Sequence, residues 1–395
     1  MRRLSFAFLF ALLAFAPNVR GADPKVADSL QPFVEKGQLA GAVVLVASPK
    51  EVLTVETAGH SDREAKTAMK ADNLFWIASM TKPMTAAALM MLVDEGKVSL
   101  DDPIEKYLPE FKGHMVIVEK DKDHVLLKNP KRASTVRDCL RHTSGMPFGS
   151  ELEKPTIDKL LLKDAVRSYA ITPLQYEPGT KYTYSNAGIN TAGRIIEVVS
   201  KMSYEDFMAK RLFEPLGMTD TTWRLTDAQM KRLAKTYTPS KDKLSLEAMT
   251  IAPLAHPLSD PTRQPCPGGG LFSTAKDVAA FGQMILNGGT RGNLRFLSEA
   301  SVREMTGTQT DDLLNKGKGE GGYGLGFSTT RKAKADGPAV AGPCGHGGAY
   351  ATNLWINPDA KLVVVYMVQH AGFVGDGGKA KGVFEKAATD MYGAK

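Results

Sequence analysis

The chain has 395 residues, 43% hydrophobic and 24% charged, enough to bury a sizeable core in one large domain or two intimate ones. Its formal net charge of +7 comes without a dense Lys/Arg block, which argues against a nucleic-acid partner. Cys139, Cys266 and Cys344 form no Cys-x-x-Cys pair, which excludes a zinc knuckle and allows at most one disulfide, with Cys266 and Cys344 as the candidates.

Arg2 and Arg3 precede an apolar run over residues 4–16, and Val19-Arg20-Gly21 supplies small residues at a cleavage site. This reads as a secretory signal over residues 1–21, too short for a comfortable span. It implies an exported chain, periplasmic or secreted, with no stable membrane span after cleavage; loss of Arg2, Arg3 and Arg20 lowers the charge of +7 by three. Residues 26–36 predict an amphipathic helix with Val26, Leu30, Phe33 and Val34 on one side. Two β-branched runs, 40–47 and 52–58, flank a Pro-containing turn and predict a hairpin.

A buried helix is expected over 84–93, because small and apolar residues fill every face of it. From about 101 to 287 the pattern is helix and loop, with helical patches at 135–140, 160–169, 187–200, 204–212 and 275–286. Strands are expected again at 322–329, 350–356 and 362–369, and a last helix at 382–392. The Gly-rich, charged stretch 316–322 reads as a loop without a Walker pattern. The predicted class is α+β: an antiparallel sheet from both chain ends flanked by helices, with a large helical insertion. Within a 22–395 domain, the α/β part takes about 22–80 and 292–395 and the helical part about 81–291.

Three short stretches carry chemistry. Ser79 stands just before the buried helix, at its positive end, and Lys82 lies three residues on, on the same face. A serine hydroxyl needs a base, and a lysine held neutral by burial can serve. Alone, such a serine is ordinarily a helix cap. In Tyr184-Ser185-Asn186, the tyrosine could share a proton with Lys82 and Ser79, and the asparagine could bond Lys82 and a substrate carbonyl at once. The plainer reading makes Tyr184 a half-buried aromatic and Asn186 a cap. In Cys344-Gly345-His346-Gly347-Gly348-Ala349-Tyr350, expected to open an edge strand, Gly347 and Gly348 let a ligand approach the backbone. The Ala349 and Ser79 N–H groups would then form an oxyanion hole beside His346. No other histidine supplies metal-ligand spacing, so no metal is expected.

In this order, Ser-x-x-Lys, Tyr-x-Asn and His-Gly-Gly resemble the serine β-lactamase and penicillin-binding-protein superfamily, and Tyr184 makes the chain similar to the class C branch with its esterase and D,D-peptidase relatives. The runs at 140–147, 268–274 and 323–327 belong to the same resemblance. It implies that Ser79 is acylated, that Lys82 and Tyr184 are the acid/base pair, that Asn186 orients Lys82 and substrate, and that no cofactor is needed. The departures bear on substrate. Many β-lactamases have Lys-Thr-Gly where this chain has His346-Gly347-Gly348, and a His, with its reference pKa of ~6.5, is largely neutral at pH 7. Class C enzymes also place a Gln where this chain has Phe148-Gly149-Ser150. The expected substrate is therefore a carboxylic ester or small amide. Alternatives are a D,D-carboxypeptidase or β-lactamase acting on cell-wall peptides or β-lactams, or a catalytically silent acyl-binding sensor.

Overall fold

The computed structural model describes residues 25–310, 313, 321–330 and 342–394; the segment read as a secretory signal and most of the 316–322 loop lie outside them. Eight antiparallel strands form the main sheet, in the order Gly322–Tyr323, Ser328–Thr329, Cys344–Gly347, Asn353–Asn357, Leu362–Met367, Gly41–Ala47, Val52–Asp62 and Thr67–Ala68. Both chain ends therefore meet at its centre, where Leu45 stands opposite Val365. Every residue of Gly41–Ala47 is buried because the sheet is covered on both faces. Val43, Leu45 and Ala47 point into the large core shared with the Ala275–Leu286 helix. Ala42, Val44 and Val46 point the other way, with Phe384 and Ala388 of the Ala380–Tyr392 helix and with Val26 and Leu30.

The helical region lies between these halves of the sheet in sequence. At its centre the Thr81–Asp94 helix is buried on every side from Thr81 to Leu92, as its composition predicts. It packs on the Asn186–Ser200 helix, which also receives the Val136–Leu140 and Leu162–Ala170 helices. A buried ion pair fastens the loop that follows: Arg263 Nε donates to Asp158 at 2.7 Å, and both side chains are sealed from solvent. The guanidinium also donates to the Trp223 and Leu258 carbonyls, which supply the partners such a desolvated charge requires.

Three expectations need correction. The middle of the chain contains two hairpins, Val116–Lys120 with Val125–Lys128 and Thr236–Pro239 with Leu246–Met249. The first could have been found: two aliphatic runs flank the charged turn at Asp121-Lys122-Asp123. The single strand expected over 322–329 is a tight hairpin, closed where Gly324 N–H donates to the Phe327 carbonyl. That hairpin covers the next strand, so Cys344–Gly347 is an interior strand between Ser328–Thr329 and Asn353–Asn357. The His-Gly-Gly run therefore closes a strand of its own, and the following strand starts only at Asn353.

Candidate active site

Ser79 occupies a single 3₁₀ turn, Ala78–Met80, that runs straight into the Thr81–Asp94 helix. Ala78 has φ of +45°, a left-handed conformation uncommon for a residue with a Cβ. Neighbouring bonds hold this turn. Thr81 Oγ1 donates to the Ala78 carbonyl at 2.7 Å, Ile77 N–H donates to the Leu271 carbonyl, and the Trp76 indole donates to the Gly269 carbonyl at 2.8 Å. Ser79 itself stays half-exposed.

Lys82 lies one turn along and is fully buried. Its Nζ is 3.1 Å from Ser79 Oγ, 2.7 Å from Asn186 Oδ1 and 2.5 Å from the Gly268 carbonyl oxygen. Burial holds its pKa down to about 7, since all three partners are neutral and desolvation penalises the ammonium. A Cβ at Gly268 would stand 2.9 Å from Asn186 Oδ1 and crowd the amide that bonds Lys82.

Tyr184 and Asn186 arrive on the loop that opens the Asn186–Ser200 helix. Ser185, not Asn186, caps that helix, accepting from Gly188 N–H at 3.2 Å and donating to the Pro147 carbonyl at 2.6 Å. This leaves the Asn186 amide for Lys82. Lys82 Nζ sits 4.6 Å from the centre of the Tyr184 ring, and the Tyr184 hydroxyl lies beside Ser79. Burial raises the phenol's pKa, so it carries its proton at neutral pH.

His346 meets the same site from the sheet. Its Nδ1 is 2.7 Å from the Gly347 carbonyl, which assigns the proton to Nδ1. Nε2 then accepts, from Tyr323 Oη at 3.0 Å; Tyr184 Oη is more distant, at 3.4 Å. One lone pair cannot serve both, so the Tyr184 hydroxyl stays available to Ser79. Burial, and Lys82 after it, push the His346 pKa down to about 3. His346 is thus a neutral, largely buried group rather than a cation facing the cleft. At Gly348 a Cβ would meet the Ile77 carbonyl at 2.6 Å and Thr352 Oγ1 at 2.1 Å. This close approach sets the Gly348 backbone against the segment that carries Ser79.

Ser79, Lys82, Tyr184, Asn186 and His346, which are far apart in sequence, are thereby brought into one cluster, with the Gly347-Gly348-Ala349 turn at its edge. Sequence reasoning missed His142 and Tyr323. The His142 ring lies 4.4 Å from that of Tyr184 and 4.6 Å from that of Tyr323, and its Nδ1 accepts from Ser185 N–H at 3.2 Å. Burial, then Lys82 and His346, depress its pKa well below the usual imidazole range. Both residues sit in the runs 140–147 and 323–327, which marked a resemblance but carried no spacing from which a role could be read. Phe148 is 58% exposed and stacks on Tyr184 at 6.4 Å between centroids, so the segment beyond Pro147 gives the site an apolar lip. Cys139, Cys266 and Cys344 are buried, separate thiols, so the Cys266–Cys344 disulfide is not formed. Among the described residues no group of three or more His, Cys, Asp or Glu is placed to hold a metal ion, and no helix is long and apolar enough to cross a membrane.

A hydroxyl, an amine titrating near neutrality and a protonated phenol grouped in one site are chemically able to carry out acyl transfer. In comparison with known proteins, the Beta-lactamase family model matches residues 26–388. The chain belongs to the Beta-lactamase family. Protein Rv1367c of Mycobacterium tuberculosis (strain ATCC 25618 / H37Rv) is 34% identical over 368 residues, covering 87% of this chain and 88% of that one. Esterase EstB of Burkholderia gladioli is 29% identical over 370 residues, covering 85% and 87%. The solved structure of EstCE1, a hydrolase with promiscuous acyltransferase activity, matches with a TM-score of 0.75 at 23% identity, over 92% of this chain and 97% of its own. The family's fold is the β-lactamase/transpeptidase-like one, and its members are serine hydrolases.

Proposed function

We propose that this chain is an exported serine hydrolase that works through an acyl-enzyme on Ser79 and acts on carboxylic esters or small amides. One observation carries the reading: the buried Lys82 amine lies 3.1 Å from Ser79 Oγ with no charged partner in contact among the described residues, and burial holds its pKa down to about 7. Neutral Lys82 takes the Ser79 proton as Oγ bonds to the substrate carbonyl carbon. The resulting oxyanion is held by the Ser79 and Ala349 N–H groups, a pair typically worth ~3 kcal/mol per donor. Tyr184 gives its proton to the leaving oxygen or nitrogen and recovers one from the Lys82 ammonium. Water then enters by the reverse route and frees the acid. Asn186 orients Lys82 and the substrate carbonyl through the two ends of its amide.

The preference for neutral substrates rests on His346. A buried neutral imidazole, with Nε2 already accepting from Tyr323, offers no cation to a substrate carboxylate. This weighs against the β-lactamase and D,D-carboxypeptidase readings. The similarity to Esterase EstB points the same way. The silent sensor is disfavoured because Ser79, Lys82 and Tyr184 are all present and grouped in one site.

The test pairs initial rates on a short-acyl nitrophenyl ester and a chromogenic cephalosporin, with Ser79→Ala as the blank. Ester turnover that disappears in the variant, with little cephalosporin opening, is the expected result. Rapid cephalosporin opening would hand the assignment to the β-lactamase reading. Inactivity on both would favour the peptidase or the sensor.

A further inference from the structure

A neutral amine has two hydrogens and one lone pair. At Lys82 two fixed acceptors lie ready for the hydrogens, Asn186 Oδ1 at 2.7 Å and the Gly268 carbonyl at 2.5 Å, which leaves the lone pair for Ser79 Oγ. Where the lone pair points therefore depends on where the Gly268 carbonyl sits. Gly268 lies in a turn outside any helix or strand, so no ladder fixes it.

Asn190 does. It lies one turn beyond Asn186 on the Asn186–Ser200 helix, on the same face, and is 2% exposed. Its Oδ1 accepts from Gly268 N–H at 2.9 Å and from the Cys266 thiol at 3.6 Å. Its Nδ2 donates to Tyr169 Oη at 2.8 Å and, more weakly, to Glu153 Oε1 at 3.4 Å. Tyr169 Oη donates to the same Glu153 oxygen at 2.6 Å, and Ser150 N–H holds the other carboxylate oxygen at 2.8 Å. The same peptide is held at its other end by Thr85 Oγ1, donating to the Pro267 carbonyl at 2.8 Å. The next peptide, which carries the Gly268 carbonyl, has its Gly269 N–H donating to the Cys266 carbonyl at 3.1 Å.

We propose that Asn190 is a positioning residue for the site: anchored by Tyr169 and Glu153, it holds the Gly268 N–H, and through that residue keeps the Gly268 carbonyl where it aims the Lys82 lone pair at Ser79. The inference rests on Lys82 acting as the base. It concerns none of the groups that touch substrate, and no carboxylate need approach the amine, because the effect passes through the Gly268 backbone. The titratable groups facing Lys82 are Tyr184, His142, His346 and Cys266, with Glu153 beyond Asn190.

The experiment uses the full chain, p-nitrophenyl acetate as probe, and the wild type beside Asn190→Leu, Tyr169→Phe and Ser79→Ala. Rates are scaled to the folded fraction read by near-UV circular dichroism. Asn190→Leu is expected to lower kcat ~30–100-fold with KM changed less than ~2-fold, the size of loss that follows a small misplacement of a catalytic group. The acid midpoint of kcat should move to lower pH, because the ammonium loses a well-placed acceptor. Tyr169→Phe, one bond further out, should act in the same direction by ~3-fold or more. This variant keeps the inference open to refutation if Asn190→Leu does not fold. Scaled kcat and midpoint unchanged in the folded variants, with losses confined to Tm, overturns the inference. A wild type no faster than Ser79→Ala would instead remove the base assignment beneath it.

Discussion

Lys82→Met is expected to lower kcat/KM for a nitrophenyl ester by ~10³-fold, within the range for removal of a positioned general base. Methionine matches the lysine stem in length and suits a fully buried position, so loss of the fold is not the expected cause. The wild-type pH profile should show the same group titrating. Only neutral Lys82 can accept the Ser79 proton, and burial holds its pKa down to about 7, so activity rises with pH through about 7 and falls away below it. A surface lysine, with a pKa of ~10.4, would place that limb some three units higher. Lys82→Arg should not restore the rate at any pH used, because a guanidinium stays charged. Rates flat from about pH 6 to 9, with chemistry shown to limit, would contradict the role.

Tyr184→Phe is the second large effect, ~10²-fold or more on esters with poor leaving groups. The variant keeps the ring that Lys82 Nζ approaches at 4.6 Å and removes only the hydroxyl beside Ser79. The loss should depend on the leaving group. A nitrophenolate departs without a proton, whereas an alkoxide needs one, so an ethyl ester should suffer more than a nitrophenyl ester of the same acid. Comparable, near-normal rates on both would remove Tyr184 from the proton path. An equal loss on both would assign it to the nucleophile alone.

Periodicity and composition made the frame of the molecule legible. Gly41–Ala47 is apolar at every position because both faces of its strand are covered, and the Thr81–Asp94 helix is apolar on every side because it is central. The three-residue spacing of Ser79 and Lys82 placed both on one helical face, where the structure has them 3.1 Å apart. What stayed hidden depends on contacts between distant segments. His346 reads as an ordinary histidine until the Gly322–Tyr323 strand brings Tyr323 to its Nε2 and buries it, which takes its pKa to about 3. The same hairpin turned an expected edge strand into an interior one. Asn190 shows the limit most plainly. Its helical register with Asn186 was visible, but its partners Gly268, Tyr169 and Glu153 come from three separate segments.

A covalent bond to Ser79 is the step on which the proposed reaction depends. It can be caught by intact-mass spectrometry of the chain quenched in acid during turnover of a short-acyl nitrophenyl ester, followed by peptide mapping. The expected result is a mass gain of one acyl group, carried on the peptide containing Ser79, formed on the timescale of the nitrophenolate burst and absent from Ser79→Ala. Turnover without an adduct, or an adduct on another residue that persists in Ser79→Ala, would contradict it.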